Sequence, residues 1–219
     1  NVEDSMLNEI LNAGCRASTT GNMQLYSIIV TRDSGKKKEL LPLHFGQKMI
    51  TEAPVVLTFC ADFNRFNKWC LARNAKPGYD NFLSFFTAAI DGLLVAQTAA
   101  IAAEAKGLGI CYIGTTTYMA HKIIDVLRLP SGVIPVATIT LGWPSEKPAD
   151  PGRLPLEAVV HNEEYKDYTT ETIDDFYSGK EAREDSKQFV AENNKESLAQ
   201  VFTDIRYKEE DNINFSRLL

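Results

Sequence analysis

Apolar positions recur along this chain in two rhythms, one of period near 3.6 and one of unbroken runs. Near the start, Leu7, Ile10, Leu11 and Cys15 fall on one stripe of a helix that Asp4 can cap and that ends around residues 14–16. The runs Tyr26-Ser-Ile-Ile-Val-Thr31, Pro54-Val-Val-Leu-Thr-Phe-Cys-Ala61 and Val133-Ile-Pro-Val-Ala-Thr-Ile-Thr140 predict buried strands, with a shorter extended piece at 110–114. Asp33-Ser-Gly35 reads as a turn, and residues 36–45 and 48–53 as short helices on either side of Gly46-Gln47. Phe66, Trp69 and Cys70 share a helix over 64–72, which Lys76-Pro-Gly-Tyr79 interrupts. Residues 81–106 then predict one helix of roughly 39 Å. Its many alanines allow another helix to approach closely, and Gly107 closes it. Thr116 or Thr117 caps a further helix that reaches Leu127.

Beyond Val160 the pattern changes. Residues 165–196 are rich in charge, with sparse apolar anchors at Ile173, Phe176, Tyr177 and Phe189. Leu198, Val201, Phe202 and Ile205 restore helical spacing, and the chain closes with Phe215-Ser-Arg-Leu-Leu219. This divides the chain into a core over 1–165 and an extension over 166–219, which reads either as a segment packing on something already folded or as a partly disordered tail.

Composition narrows the function. With 219 residues, 44% of them hydrophobic, the chain can bury a full core. Its net charge of −6, with no basic cluster larger than Lys36-Lys37-Lys38, argues against nucleic-acid binding. The longest apolar stretch, 87–103, holds Asp91 and Gln97, which a bilayer span tolerates badly. The cysteines Cys15, Cys60, Cys70 and Cys111 are scattered and the histidines lie far apart. That spacing points away from a structural metal and toward a reduced, cytoplasmic setting. Asn1 in place of Met implies residues upstream.

Four polar elements punctuate the apolar pattern. Ser18-Thr19-Thr20-Gly21-Asn22 suits a phosphate or a polyol chain, and suits an ordinary helix-to-strand turn equally. Gln47 offers a donor and an acceptor together, matching an imide edge, and equally suits a plain surface position. Tyr112-Ile-Gly114 could present a backbone N–H to a ring, or form a buried edge strand. Arg153 sits among prolines in Leu141-Gly-Trp-Pro-Ser-Glu-Lys-Pro-Ala-Asp-Pro-Gly-Arg-Leu-Pro155, a stiff loop that can hold a guanidinium toward a phosphate or pair it with a local carboxylate. Glycines 107, 109 and 114 follow a helix at the wrong spacing for a dinucleotide fingerprint, so a Rossmann domain is not indicated. There is no G-x-S-x-G elbow and no H-E-x-x-H, Asp62 and Asp91 lack partners at informative spacing, and His161 reads as structural. An enzyme with this inventory leaves its chemistry to a cofactor.

Taken in order, these segments resemble the flavin-dependent nitroreductase family, most of all its NADPH-preferring, oxygen-insensitive nitroreductases and flavin reductases. The matching pieces are the hydroxyl loop of 16–24, Gly46-Gln-Lys48 leading into Glu52-Ala-Pro54, Phe59-Cys-Ala-Asp-Phe-Asn-Arg65, Ala103-Glu-Ala-Lys-Gly-Leu-Gly-Ile-Cys-Tyr-Ile-Gly114, Leu127-Arg-Leu-Pro130, and Leu141-Gly-Trp-Pro144 through Arg153-Leu-Pro155. They cover roughly 7–165. The resemblance implies a three-layer α+β homodimer, with a mostly antiparallel central sheet between helices, FMN at the subunit interface and a C-terminal extension wrapping the partner.

By the same analogy Ser18, Thr19, Thr20 and Asn22 contact the flavin phosphate, ribityl chain or ring edge, and Gln47 meets the pyrimidine side. Tyr112, Ile113, Gly114 and Thr115 line one face, with a backbone N–H near Gly114 toward N5, and Arg153 binds the phosphate. The implied activity is ping-pong hydride transfer from NAD(P)H through flavin N5 to nitroaromatic, quinone or flavin acceptors, with no obligatory acid or base from the protein. A dedicated FMN reductase and a non-catalytic flavin-binding or scaffold dimer are the alternatives. Two departures stand out. This chain starts too late to show the Arg/His segment that the family carries before the first helix, and Pro151 stands where close relatives carry a lysine.

Overall fold

Each apolar run becomes a strand, and their hydrogen bonding forms a single sheet. The computed structural model describes residues 1–78 and 80–218; Tyr79, in the expected break, and Leu219, the last residue, lie outside the described residues. In chain order the elements are α1 (Asp4–Gly14), β1 (Tyr26–Thr31), α2 (Ser34–Leu40), α3 (Met49–Glu52), β2 (Val55–Asp62), α4 (Asn64–Leu71), α5 (Phe82–Ala105), β3 (Gly109–Ile113), α6 (Ala120–Leu127) and β4 (Val133–Gly142). They continue with α7 (Thr170–Glu181), α8 (Glu184–Glu192), α9 (Leu198–Val201) and α10 (Glu209–Leu218). By contacts the chain divides into two compact units, residues 1–145 with 215–219, and residues 146–214.

The sheet runs β1-β2-β4-β3 with every neighbouring pair antiparallel. All eight residues of β2 are buried, as a central strand covered on both faces requires. Leu57 and Phe59 of β2, with Ile139 and Leu141 of β4, pack against Leu7 and Ile10 of α1 and the alanines of α5. Val56 of β2 and Ile113 of β3 point the other way, toward Leu40, Ile50 and Ile123. The result is a three-layer α+β unit, α1 and α5 on one face, α2, α3 and α6 on the other. Pro135 lies inside β4, where the register shifts between Phe59 and Cys60, so its missing N–H falls at an irregularity of the ladder.

Helix α5 follows the alanine pattern. Ala96, Ala99, Ala100 and Ala103 are buried, and Gly14 of α1 lies so close that a Cβ there would stand 3.0 Å from the Cβ of Ala99. Asn81 caps α5 by accepting from Ser84 N, and Gly107, at φ +80°, ends it. The opposite face leaves Phe82, Leu83, Phe86, Leu93 and Ile101 exposed. By length and composition α5 could cross a membrane, but its buried face, including Asp91, belongs to the core.

Three local expectations change. Asp4 is inside α1 and pairs with Arg32 at 3.0 Å, while Glu3 occupies the capping position. Asp33-Ser34-Gly35 is no free turn: Asp33 caps α2 by accepting from Lys36 N at 2.7 Å. Neither Thr116 nor Thr117 caps α6, which starts after Met119; Thr116 Oγ1 donates instead to Ile113 O at 3.0 Å and closes the turn that leaves β3. The second unit is helical, with a Thr169–Thr172 capping box opening α7 and α9 widening into a π-turn over Phe202–Arg206.

Candidate functional site

The loop between α1 and β1 is irregular for a local reason. Gly21, Asn22 and Gln24 all adopt left-handed backbone angles, which neither helix nor strand accommodates. Its shape is held from outside. Asp91, fully buried on α5, accepts from Thr20 N at 2.9 Å and from Leu25 N at 3.1 Å. Arg65 donates to Gln24 O and, at 2.9 Å, to Tyr26 O. Asp62 completes the brace by accepting from Arg65 N at 3.1 Å. With its backbone so fixed, the loop leaves the hydroxyls of Ser18, Thr19 and Thr20 without hydrogen bonds among the described residues, while Asn22 Oδ1 accepts from Gln24 Nε2 at 3.3 Å.

A second loop follows α2. The chain passes through a 3-10 turn, Leu41–His44, and then through two left-handed residues, Phe45 and Gly46, before Gln47. Lys37 braces this region: its stem is buried and its Nζ donates to Thr51 O at 3.2 Å and Ala53 O at 2.8 Å, closing the end of α3. Gln47 is half-buried, and its Nε2 donates to Thr115 Oγ1 at 3.4 Å. His44 is fully buried, and its Nδ1 lies 3.1 Å from the same hydroxyl. Burial holds the His44 imidazole neutral by lowering its pKa to about 4.

The third element is the end of β3. Tyr112 is exposed, and partial burial of its ring pushes the phenol upward. The Ile113 side chain lies in the second core cluster, so only its backbone is left to meet a ligand. A Cβ added at Gly114 or at Gly46 would meet nothing within 4 Å, so both glycines border open space on either side of the Gln47–Thr115 bond. Phe215 joins this unit too, stacking on Tyr118 at 4.8 Å between centroids and lying 6.3 Å from Phe45.

Arg153 belongs to the second unit. Its NH1 donates to Gly152 O at 2.6 Å, and it has no carboxylate partner among the described residues, so the local ion pair allowed by its sequence does not form there. It lines a cavity of about 520 Å³ with Pro151, Leu154, Lys180 and Arg183. His161 is structural, as expected: Nδ1 accepts from Lys166 N at 3.2 Å and Nε2 meets the Tyr168 hydroxyl at 3.2 Å.

The structure thus brings Gln47 and Thr115 into contact and fixes the backbone that carries Ser18, Thr19, Thr20 and Asn22. It adds roles for Asp91, Arg65 and His44 that the sequence does not assign. Asp91 stood out there as a carboxylate in the middle of an apolar helix, a place where an unpaired charge is costly, and Arg65 only as the end of the 59–65 motif.

The sequence profile of the Nitroreductase family matches residues 1–143. The chain is 35% identical over 165 residues to the oxygen-insensitive NADPH nitroreductase of Salmonella typhimurium, covering 75% of this chain and 67% of that protein. It is 37% identical over 167 residues to the FMN reductase [NAD(P)H] of Bacillus subtilis, with the same coverage. Among solved structures, one from Bacteroides fragilis superposes with a TM-score of 0.97 at 54% identity, covering 99% of this chain and 88% of that one. The ordered motifs, the three-layer fold and these matches agree: the chain belongs to the nitroreductase family.

Proposed function

We propose that Ser18, Thr19, Thr20, Asn22, Gln47, Tyr112, Ile113, Gly114, Thr115 and Arg153 form the FMN site of an NAD(P)H-dependent oxidoreductase acting on nitroaromatic, quinone or flavin acceptors. As a member of its family the protein is an FMN-dependent NAD(P)H oxidoreductase. The observation that carries the site assignment is the Gln47–Thr115 bond between two glycines that border open space. The donor set fits the cofactor part by part. Hydroxyls without hydrogen bonds among the described residues suit the ribityl chain and phosphate, a half-buried carboxamide suits an imide edge, and a guanidinium with no carboxylate partner among the described residues suits the phosphate charge.

Bound FMN supplies the hydride relay from NAD(P)H to the acceptor. The chain's own residues bind and orient. The 18–22 loop holds the polar tail because Asp91 and Arg65 pre-set its backbone, which lowers the ordering cost on binding. Gln47 would meet the pyrimidine edge, and the backbone at Gly114 would face the reactive ring. Tyr112 is exposed beside it, its phenol proton held more tightly than in water, so it binds as a neutral group.

The exposed apolar face of α5 supports a homodimer built on that helix, with the 166–219 extension against the partner. Four free thiols suit a cytoplasmic setting. The test is anaerobic titration of the FMN-loaded protein with NADPH and separately NADH. Bleaching of the flavin band, reversed by a quinone, is expected. A protein that binds FMN but oxidises neither nucleotide with any quinone or nitro acceptor overturns the reading.

A further inference from the structure

His44 is buried without a structural partner set that explains it. Its Nδ1 reaches one atom, Thr115 Oγ1, and its Nε2 is buried with no protein partner among the described residues. A buried imidazole with an idle nitrogen costs stability that an aliphatic side chain would not, so what it does for Thr115 matters.

The Thr115 hydroxyl has one proton to give. Gln47 Nε2 can only donate, so the hydroxyl accepts at that contact and must spend its proton elsewhere. Among the described residues the remaining partner is His44 Nδ1, which can accept because burial keeps the ring neutral. With the Gln47 amide oriented this way, the chain runs in one direction, Gln47 N–H to Thr115 O–H to His44 Nδ1, with the His44 proton on Nε2. The opposite arrangement, with Nδ1 protonated, would reverse each bond and turn the Gln47 carbonyl toward Thr115.

We propose that His44 is a positioning residue: as terminal acceptor of this chain it fixes the Gln47 carboxamide with its carbonyl turned to the ligand, so that the site selects an imide edge presenting a donor N–H. The inference rests on the FMN reading for the identity of that edge, but the tautomer is a property of the protein alone.

Two measurements separate the two claims. In the ligand-free protein carrying ¹⁵N-histidine, the resonances absent from His44→Asn are expected to show Nδ1 unprotonated and Nε2 protonated at neutral pH; a protonated Nδ1 overturns the inference. With FMN, His44→Leu and Thr115→Val are each expected to weaken binding about tenfold, the value of one hydrogen bond. His44→Asn, which restores an acceptor near the Nδ1 position, should return affinity to within about threefold of the original. The His44→Leu/Thr115→Val double variant should lose no more than either single one. If His44→Leu fails to fold, Thr115→Val and His44→Asn carry the comparison. The midpoint potential of bound FMN should move in His44→Leu or Thr115→Val and recover in His44→Asn, a signature that mere packing damage would not give. Normal FMN affinity in Thr115→Val, or losses that add in the double variant, overturns the inference alone. An original protein that binds no FMN overturns the functional reading instead, whatever the tautomer shows.

Discussion

Replacing Asp91 by asparagine tests whether the loop of residues 18–22 is shaped from α5. The carboxylate is fully buried, and each oxygen takes a backbone N–H, from Thr20 at 2.9 Å and from Leu25 at 3.1 Å. Hydrogen bonds to a charged group contribute about 1.5–3 kcal/mol each. Asparagine has nearly the same shape but keeps a single acceptor and turns an N–H₂ toward the other amide. One bond is lost, its buried N–H faces a donor, and the surviving bond loses its charge assistance. Relief of carboxylate desolvation offsets part of this, leaving a net loss of about 3 kcal/mol. For a chain of this size that lowers Tm by about 6–12 °C.

The assay is thermal and urea unfolding of ligand-free protein at matched protomer concentration, since association would otherwise shift the midpoint. FMN titration accompanies it, and affinity should fall because the loop must be ordered at the expense of binding. Asp91→Ala should be worse than Asp91→Asn, because it leaves both amides unpaired and opens a cavity. Unfolding of Asp91→Asn within about 0.5 kcal/mol of the original, with FMN affinity unchanged, would refute the reasoning, since that is the scatter of an ordinary surface substitution.

Arg153→Ala should weaken FMN about 10- to 100-fold while leaving riboflavin, which lacks the phosphate, within about twofold; equal losses for both ligands would remove Arg153 from the phosphate site. Gly142→Ala should destabilise by about 2–3 kcal/mol in urea, because its Cβ would stand 2.6 Å from Cδ of Pro54 and a proline ring cannot turn aside; an unchanged midpoint would show that the β2–β4 end yields. For His44, whose pKa falls from 6.5 unfolded to about 4 folded, the neutral form is favoured by folding. That contribution is fully present above pH 6.5 and is lost as pH falls toward 4, about 3 kcal/mol in all. His44→Leu should flatten the slope of stability against pH between those values, and an unaltered slope counts against a buried neutral ring.

Much of the fold could be read directly. β1 matches its apolar run end to end, β2 has the expected length displaced by one residue, and β4 extends two residues past its run, because a strand covered on both faces leaves no polar interruption. α5 was visible in its alanines and in Gly107. Misreadings came where capping outweighs propensity. Ser34-Gly35 looks like a turn, yet the Asp33 carboxylate satisfies an orphan N–H and starts a helix there. Thr116 looks like a cap, but its hydroxyl is taken up by the turn behind it. The helix over Glu209–Leu218 leaves no clear pattern in the sequence, since its apolar residues are few and none is buried.

Of the candidate site, only the parts proposed to meet the cofactor were legible. Glycines, clustered hydroxyls and a proline-bound arginine are local signals, and they mark the loops in the sequence itself. The residues that aim those loops act at long range: Asp91 reaches Leu25 across 66 positions and Thr20 across 71, and His44 reaches Thr115 across 71. A single carboxylate or imidazole carries no spacing that names such a partner. What singles them out is burial, because a polar group out of water must be satisfied by something specific. The two supports also differ in kind. Asp91 secures two amides of the loop from α5, on one side of the sheet, whereas His44 orients one hydroxyl beside the core cluster on the other side. They share no partner, so damage to one leaves the other intact, and the polar-tail and ring-edge contacts proposed for the cofactor can fail independently.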